Sequence, residues 1–215
     1  MHESAIPLKD ARGTRKVDRE AGLHVLHNHQ ANGSGHFHAV RFYKDSDSLS
    51  RIVAAFIGEG LAHGDPGVVI ATPAHRATIV RYLEEMSLDV DRVQRDGRLF
   101  LLDAEETLGS FMVDGAPNPT RFTDALVPVI EQACQGRKDC VVRAYGEMVD
   151  VLWKAGQTVA ATRLEMLWNN LAASHAFALL CGYAMGNFYK NAAVEDICSH
   201  HSHVVSEAGQ AVAVN

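Results

Sequence analysis

The stretch from Cys140 to Tyr183 carries polar side chains where a plain apolar core would not place them. Two short apolar runs, C-V-V-R-A and F-A-L-L-C, flank a helical segment, and Arg143, Glu147, Cys181 and Tyr183 fall at or just past their ends. Glu165 and Asn169, four residues apart, share one face of the intervening helix. A guanidinium, carboxylates, a thiol and a phenol can hold a polar ligand, shuttle a proton or bind a cation. Ligands of α/β proteins gather beyond the carboxyl ends of parallel strands, so the spacing predicts a site there. Read as the end of its strand, Arg143 needs a partner, because a buried unpaired charge is costly. Glu147 and Glu165 are its candidate partners, and an anionic ligand is the alternative. Alternation puts Cys181 and Tyr183 on one side of the sheet. Trp153 and Trp168 read as core.

Histidine and cysteine set a second line of chemistry. Cys198, His200, His201 and His203 form C-x-H-H-x-H, a soft-metal pattern that matches no standard zinc module. His24, His27 and His29 lie in a polar stretch without a carboxylate or cysteine partner. His36 and His38 point to one side of the first strand. Cys134, Cys140, Cys181 and Cys198 show no C-x-x-C spacing and read as reduced thiols, with Cys134 and Cys140 each a small buried residue.

The common catalytic signatures are missing. There is no G-x-x-x-x-G-K-[ST], G-x-G-x-x-G, G-x-S-x-G or H-E-x-x-H. Gly33-Ser34-Gly35 precedes the first strand, the wrong place for a phosphate cradle. The loop after that strand, K-D-S-D-S, brings two carboxylates that would repel phosphate.

These residues need a scaffold, and the hydrophobic pattern describes one. Residues 1–35 are polar and aperiodic and read as a flexible arm. From His36 the chain alternates strands with helices. Strands are predicted at 36–43, 68–71, 99–102, 140–144 and 177–181. Helices are predicted at 49–61, from Pro73, and over 105–113, 120–133, 147–154 and 157–173. A short helix and an edge strand follow in 184–205, and 206–215 reads as a disordered tail. This order predicts a three-layer, doubly wound α/β fold with a mostly parallel sheet over 36–205. The 215 residues are 47% hydrophobic and 21% charged, which suits one core, and the net charge of −6 argues against a sequence-independent nucleic-acid binder. No apolar run reaches the roughly 20 residues of a membrane span, and no signal-peptide pattern opens the chain. The expectation is therefore a cytoplasmic protein with no direct nucleic-acid or membrane contact.

Several of these segments occur in the order of a known family. R-A-Y-G-E-M, L-E-x-x-W-N, L-L-C-x-Y and I-C-x-x-H-x-x-V, with the opening H-A-V-R-F-Y and the stretch F-I-G-E-G-L-A-H-G-D, resemble the MEDS domain of DcmR-like sensory proteins over about 36–205. The resemblance implies a RecA/KaiC-like fold that has lost its phosphate loop, and a sensory role with a small organic ligand. Carried over by position, it selects Arg143, Gly146, Glu147, Glu165, Asn169, Cys181, Tyr183 and His201, and its opening histidine falls on His36 or His38. With no helix-turn-helix or kinase module in the sequence, the expected output runs through a separate histidine kinase or transcription regulator. A homodimer is compatible with this. The expectation is a stand-alone, non-enzymatic sensor whose ligand site comprises Arg143, Glu147, Glu165, Asn169, Cys181, Tyr183, His201 and His36, with no cofactor. Two alternatives stand beside it. One is a nucleotide-binding RecA-like protein or enzyme with a remodelled site, Glu147 acting as base. The other is a metal-dependent sensor drawing on Cys181, Cys198, His201 and His203.

Overall fold

The computed structural model describes residues 37–187 and 191–214. The arm expected at 1–35, together with His24, His27, His29 and His36, lies outside the described residues. The chain runs through β1 (His38–Tyr43), α1 (Ser46–His63), β2 (Gly67–Ala71), α2 (Pro73–Glu85), α3 (Val90–Arg95) and β3 (Leu99–Asp103). It continues through α4 (Ala104–Phe111), β4 (Met112–Val113), β5 (Ala116–Pro117), α5 (Pro119–Cys134) and β6 (Val142–Gly146). It ends with α6 (Met148–Lys154), α7 (Thr158–Ala172), β7 (Phe177–Ala184), α8 (Asn191–Ser199), β8 (His203–Val205) and β9 (Ala211–Ala213).

Among the described residues, seven strands form one sheet in the order β3-β2-β6-β7-β1-β8-β9. All neighbours are parallel except β8 and β9. The central strands are buried on both faces, which is why V-V-I-A and F-A-L-L-C are continuous apolar runs rather than alternating ones. Helix starts follow local chemistry. Asp45 caps α1 by accepting from the amides of Asp47 and Ser48, Asp103 caps α4 and Asn118 caps α5. Gly64, at φ 92°, ends α1 in the left-handed region that a glycine enters without penalty.

The helices divide between the two faces. α1, α2 and α3 cover one, packing Val53, Ile57, Ile79 and Leu83 on Val69, Tyr145 and Leu180. α4, α5, α6 and α7 cover the other, packing Phe111, Phe122, Leu126, Leu164 and Trp168 on Ile70, Ala144 and Leu179. Each such buried side chain is worth about 1.5–3 kcal/mol of transfer free energy. Both tryptophans are core, as their setting predicts.

Three details differ from the sequence reading. Residues 206–214 do not form a disordered tail, because β9 pairs antiparallel with β8 through His203–Ala213, Val204–Val212 and Val205–Ala211. β8 is therefore covered on both sides rather than forming the edge. Met112–Val113, expected to end a helix over 105–113, instead form β4, which pairs with β5 across the turn at Asp114-Gly115. Cys134 and Cys140 are joined in a disulfide, with Cα atoms 5.6 Å apart. The six-residue spacing closes the turn between α5 and β6, so these two are not the reduced thiols expected.

Candidate functional site: two polar clusters along one strand

The parity of β7 decides most of the geometry. Leu179, Cys181 and Tyr183 pair with His38, Val40 and Phe42 of β1, and this set faces α7. Glu165, fully buried on α7, points into it. The Tyr183 hydroxyl donates to Glu165 Oε1 at 2.7 Å and the Cys181 thiol lies 3.7 Å from Oε2. His38 Nε2 lies 3.2 Å from Oε2 and 3.4 Å from Cys181 Sγ. His201, from the segment between α8 and β8, brings Nε2 to 3.5 Å from Oε1, and its ring lies against that of His38, tilted by 47° with centroids 4.2 Å apart. Asn169 sits one turn beyond Glu165 and holds the far side of His38, Oδ1 to Nδ1 at 2.9 Å.

These hydrogen bonds fix the proton positions. Asn169 Nδ2 donates to the His200 carbonyl at 3.0 Å, so its Oδ1 must accept from His38 Nδ1–H. His201 Nδ1 is 2.7 Å from the Ile197 carbonyl and must donate to it. In the neutral rings both Nε2 atoms then present lone pairs to the Glu165 carboxylate, and His201 Nε2 is buried without a hydrogen-bond partner. Burial pushes the Glu165 carboxyl up, but His201 and His38 pull it further down, to about 2. Burial lowers His201 to about 4 against the upward pull of Glu165. Burial and Glu165 raise both the Cys181 thiol and the Tyr183 phenol. Near neutral pH Glu165 is therefore an anionic carboxylate and His201 an uncharged imidazole.

A second cluster sits at the carboxyl edge. Glu147 follows the last residue of β6, and its Oε2 meets His75 Nδ1 of α2 at 2.7 Å and the Tyr145 hydroxyl at 3.3 Å. Asp150, one turn further along α6, accepts from the Tyr43 hydroxyl at 2.8 Å and from the Ala184 amide at 2.9 Å. Lys154 meets it at 2.6 Å from a half-exposed position. Burial raises Glu147, yet His75 and Thr72 hold it below the ordinary carboxylate range. Burial and Asp150 raise the Tyr43 phenol.

The eight residues selected from sequence are thus distributed. Glu165, Asn169, Cys181, Tyr183 and His201 come together, Glu147 lies in the other cluster, and His36 is outside the described residues; His38, the other candidate for the opening histidine, joins the first group. Arg143 joins neither cluster. It is the second residue of β6, not the last, so it lies at the amino end of the sheet, and its parity with Tyr145 turns it to the α1 face, away from Glu165. Its guanidinium meets Asp65 at 3.4 Å and covers the Phe56 ring at 5.3 Å. It therefore pairs with neither Glu147 nor Glu165. Cys198 and His203 also stand outside the donor group of His38, Glu165, Cys181 and His201; His203 stacks on Phe37. His75, Tyr43 and Asp150 were missed. Their signal was position: Tyr43 closes β1, His75 opens the helix after β2, and Asp150 follows Glu147 by three.

The family model of the MEthanogen/methylotroph, DcmR Sensory domain matches residues 37–202, spanning every strand from β1 to β7 and both clusters. The chain belongs to the MEDS family. Its fold is shared with a KaiC-like protein from the hyperthermophilic archaeon Pyrococcus horikoshii OT3, with a TM-score of 0.51 and 14% identity over 81% of this chain and 74% of that one. No curated protein matches the sequence. The loop between β1 and α1 of this MEDS domain is filled by its own acid. Asp45 takes the Ser48 amide at 2.8 Å and the Asp47 amide at 3.3 Å, donors that a phosphate would otherwise need. Among the described residues no helix is long and apolar enough to cross a membrane.

Proposed function

We propose that this MEDS domain binds a small organic molecule at the carboxyl edge of its sheet and passes the signal to a separate protein, such as a histidine kinase or a transcription regulator. The sensory role is that of the family. The observation that best supports the site is the His75–Glu147 pair, which bridges the junction of β2 and β6. α2 leaves β2 toward one face and α6 leaves β6 toward the other. Doubly wound sheets open their ligand crevice at such a junction. Tyr43, Tyr145 and Asp150 add hydroxyls and a second carboxylate beside it, and Lys154 forms the rim. A ligand entering there replaces the bond between His75 and Glu147, which is how binding distinguishes two states. Asp150 also holds the Ala184 amide at the end of β7, giving the edge a connection to the C-terminal elements.

The test is calorimetry with a panel of small alcohols, amines, carboxylic acids and nucleotides. One small-organic class should bind the wild type, with affinity falling at least about tenfold in His75→Ala and Glu147→Gln, and unchanged in Arg143→Met. Binding that survives both edge variants, or that Arg143→Met weakens as much as they do, overturns the assignment. Nucleotide binding would replace this reading by a remodelled nucleotide site.

A further inference from the structure

We propose that His38, Glu165, Cys181 and His201 form a binding site for a divalent transition-metal ion of the zinc class, enclosed between the sheet and α7. One potential ligand atom from each of the four residues lies within 4.8 Å of every other. A tetrahedral ion with bonds of about 2.0–2.3 Å holds its ligand atoms about 3.3–3.7 Å apart. The observed separations are 3.2 Å from His38 Nε2 to Glu165 Oε2, 3.4 Å from His38 Nε2 to Cys181 Sγ, 3.7 Å from Cys181 Sγ to Glu165 Oε2 and 3.5 Å from His201 Nε2 to Glu165 Oε1. Two imidazoles, a thiol and a carboxylate are the donor types that favour zinc and its neighbours over calcium or magnesium.

Two further observations point to a cation. His201 Nε2 is buried without a hydrogen-bond partner, and its lone pair faces a carboxylate oxygen. Neither atom supplies a proton, and a cation between them satisfies both. Each histidine also donates its outer nitrogen to an oxygen, His38 to Asn169 and His201 to the Ile197 carbonyl. That is the supporting shell that metal-bound histidines use to aim the inner nitrogen. The Tyr183 hydroxyl orients Glu165 in the same way. On coordination the Cys181 S–H proton leaves to solvent and a sulfur–metal bond forms. Because His201 arrives from the segment after α8, a bound ion ties the C-terminal elements to β1, β7 and α7. The inference uses residues distinct from the carboxyl-edge site and does not rest on the small-organic reading.

The test uses the full-length chain without a histidine tag, stripped with a chelator and reloaded with Zn²⁺ or Co²⁺. One equivalent should bind, and the Co²⁺ form should show the intense visible bands of four-coordinate cobalt with a near-ultraviolet thiolate charge-transfer band. Cys181→Ser should abolish the charge-transfer band, His201→Ala should weaken binding at least about tenfold, and Asn169→Ala should weaken it about 10–100-fold. Cys198→Ser should change neither band nor affinity, which assigns the thiolate to Cys181 even where Cys181→Ser fails to fold. Circular dichroism checks each variant. A stripped wild type that takes up no stoichiometric metal overturns the proposal. So does cobalt absorption unchanged by Cys181→Ser and His201→Ala, or binding abolished by replacing His24, His27 and His29 with alanine. The small-organic reading stands or falls separately, on His75 and Glu147.

Discussion

At the scale of single residues, burial and parity decide what a charge does. Arg143 is 3% exposed, and its stem lies against Gly60 of α1, where an added Cβ would sit 2.4 Å from Arg143 Cγ. Alanine normally gains about 1 kcal/mol over glycine inside a helix. Here that gain is outweighed, because Asp65 and the Phe56 ring pin the guanidinium and leave the stem no room to retreat. Gly60→Ala should therefore lower unfolding stability by about 1–3 kcal/mol in urea denaturation; a neutral or stabilising result would mean Arg143 is not held as described. Glu147 sets a pH dependence. Its folded pKa is depressed by His75 and Thr72 despite burial, so it contributes stability above the ordinary carboxylate range that is lost as pH falls through the lower folded value. His75 faces it from α2, Tyr145 from β6, and Tyr43 and Asp150 stand alongside. Glu147→Gln should flatten the loss of stability below about pH 4.5, measured by denaturant titration across pH, with the slope near pH 7 unchanged. An acid limb as steep as the wild type's would show that the pair contributes nothing.

At the scale of elements, the C-terminal hairpin stabilises more than its composition suggests. The Ser202 amide and hydroxyl both donate to the His38 carbonyl, at 2.7 and 3.0 Å, and the His38 amide donates back to the Ser202 hydroxyl at 2.9 Å. Arg41 reaches across to the Val205 carbonyl at 3.2 Å. β9 then closes what would otherwise be an open edge. Deleting residues 207–215 should lower Tm by a few degrees, since about 1 kcal/mol corresponds to about 2–4 °C at this chain length. A deletion with an unchanged Tm would make β9 a passenger. These elements also show what was legible in the sequence. V-V-I-A and the Thr72-Pro73 helix start were readable because a doubly buried strand and a proline at a first helical turn each leave a distinct pattern. A-V-A at 211–213 was not, because three small residues after a polar turn carry no periodicity and the pairing partner supplies the strand. α3 escaped for a similar reason: six residues span less than two turns. The predicted strand 140–144 is Val142–Gly146 in the fold, and that two-residue shift moved Arg143 from the end of β6 to its start. The disulfide was hidden because spacing alone does not show that a turn brings Cys134 and Cys140 within bonding distance.

At the scale of the whole molecule, β7 joins the two clusters. Cys181 and Tyr183 serve the centre beneath α7, while the Ala184 amide bonds Asp150 at the carboxyl edge. Helix spacing put Glu165 and Asn169 on one face and strand parity put Cys181 and Tyr183 on one side, because both are local rules, while His201 entered only through the family resemblance. The sequence could not separate Glu147 from them, since that division depends on how far β6 runs before α6 begins. The layers imply unequal stability. β2, β3 and β6 are packed by helices from both faces. The elements from α8 to β9 reach the body through β1, through Ile197 and Val205 in the two core layers, and through His201, whose ring meets His38 and Glu165. Cooperative units open according to such local contacts. His201→Ala should therefore raise amide hydrogen exchange across 191–214 and at the start of β1, with β2, β3 and β6 keeping wild-type protection. A uniform rise in exchange would show that His201 supports global stability only; a rise confined to the C-terminal elements makes them the part of this MEDS domain that the buried centre holds or releases.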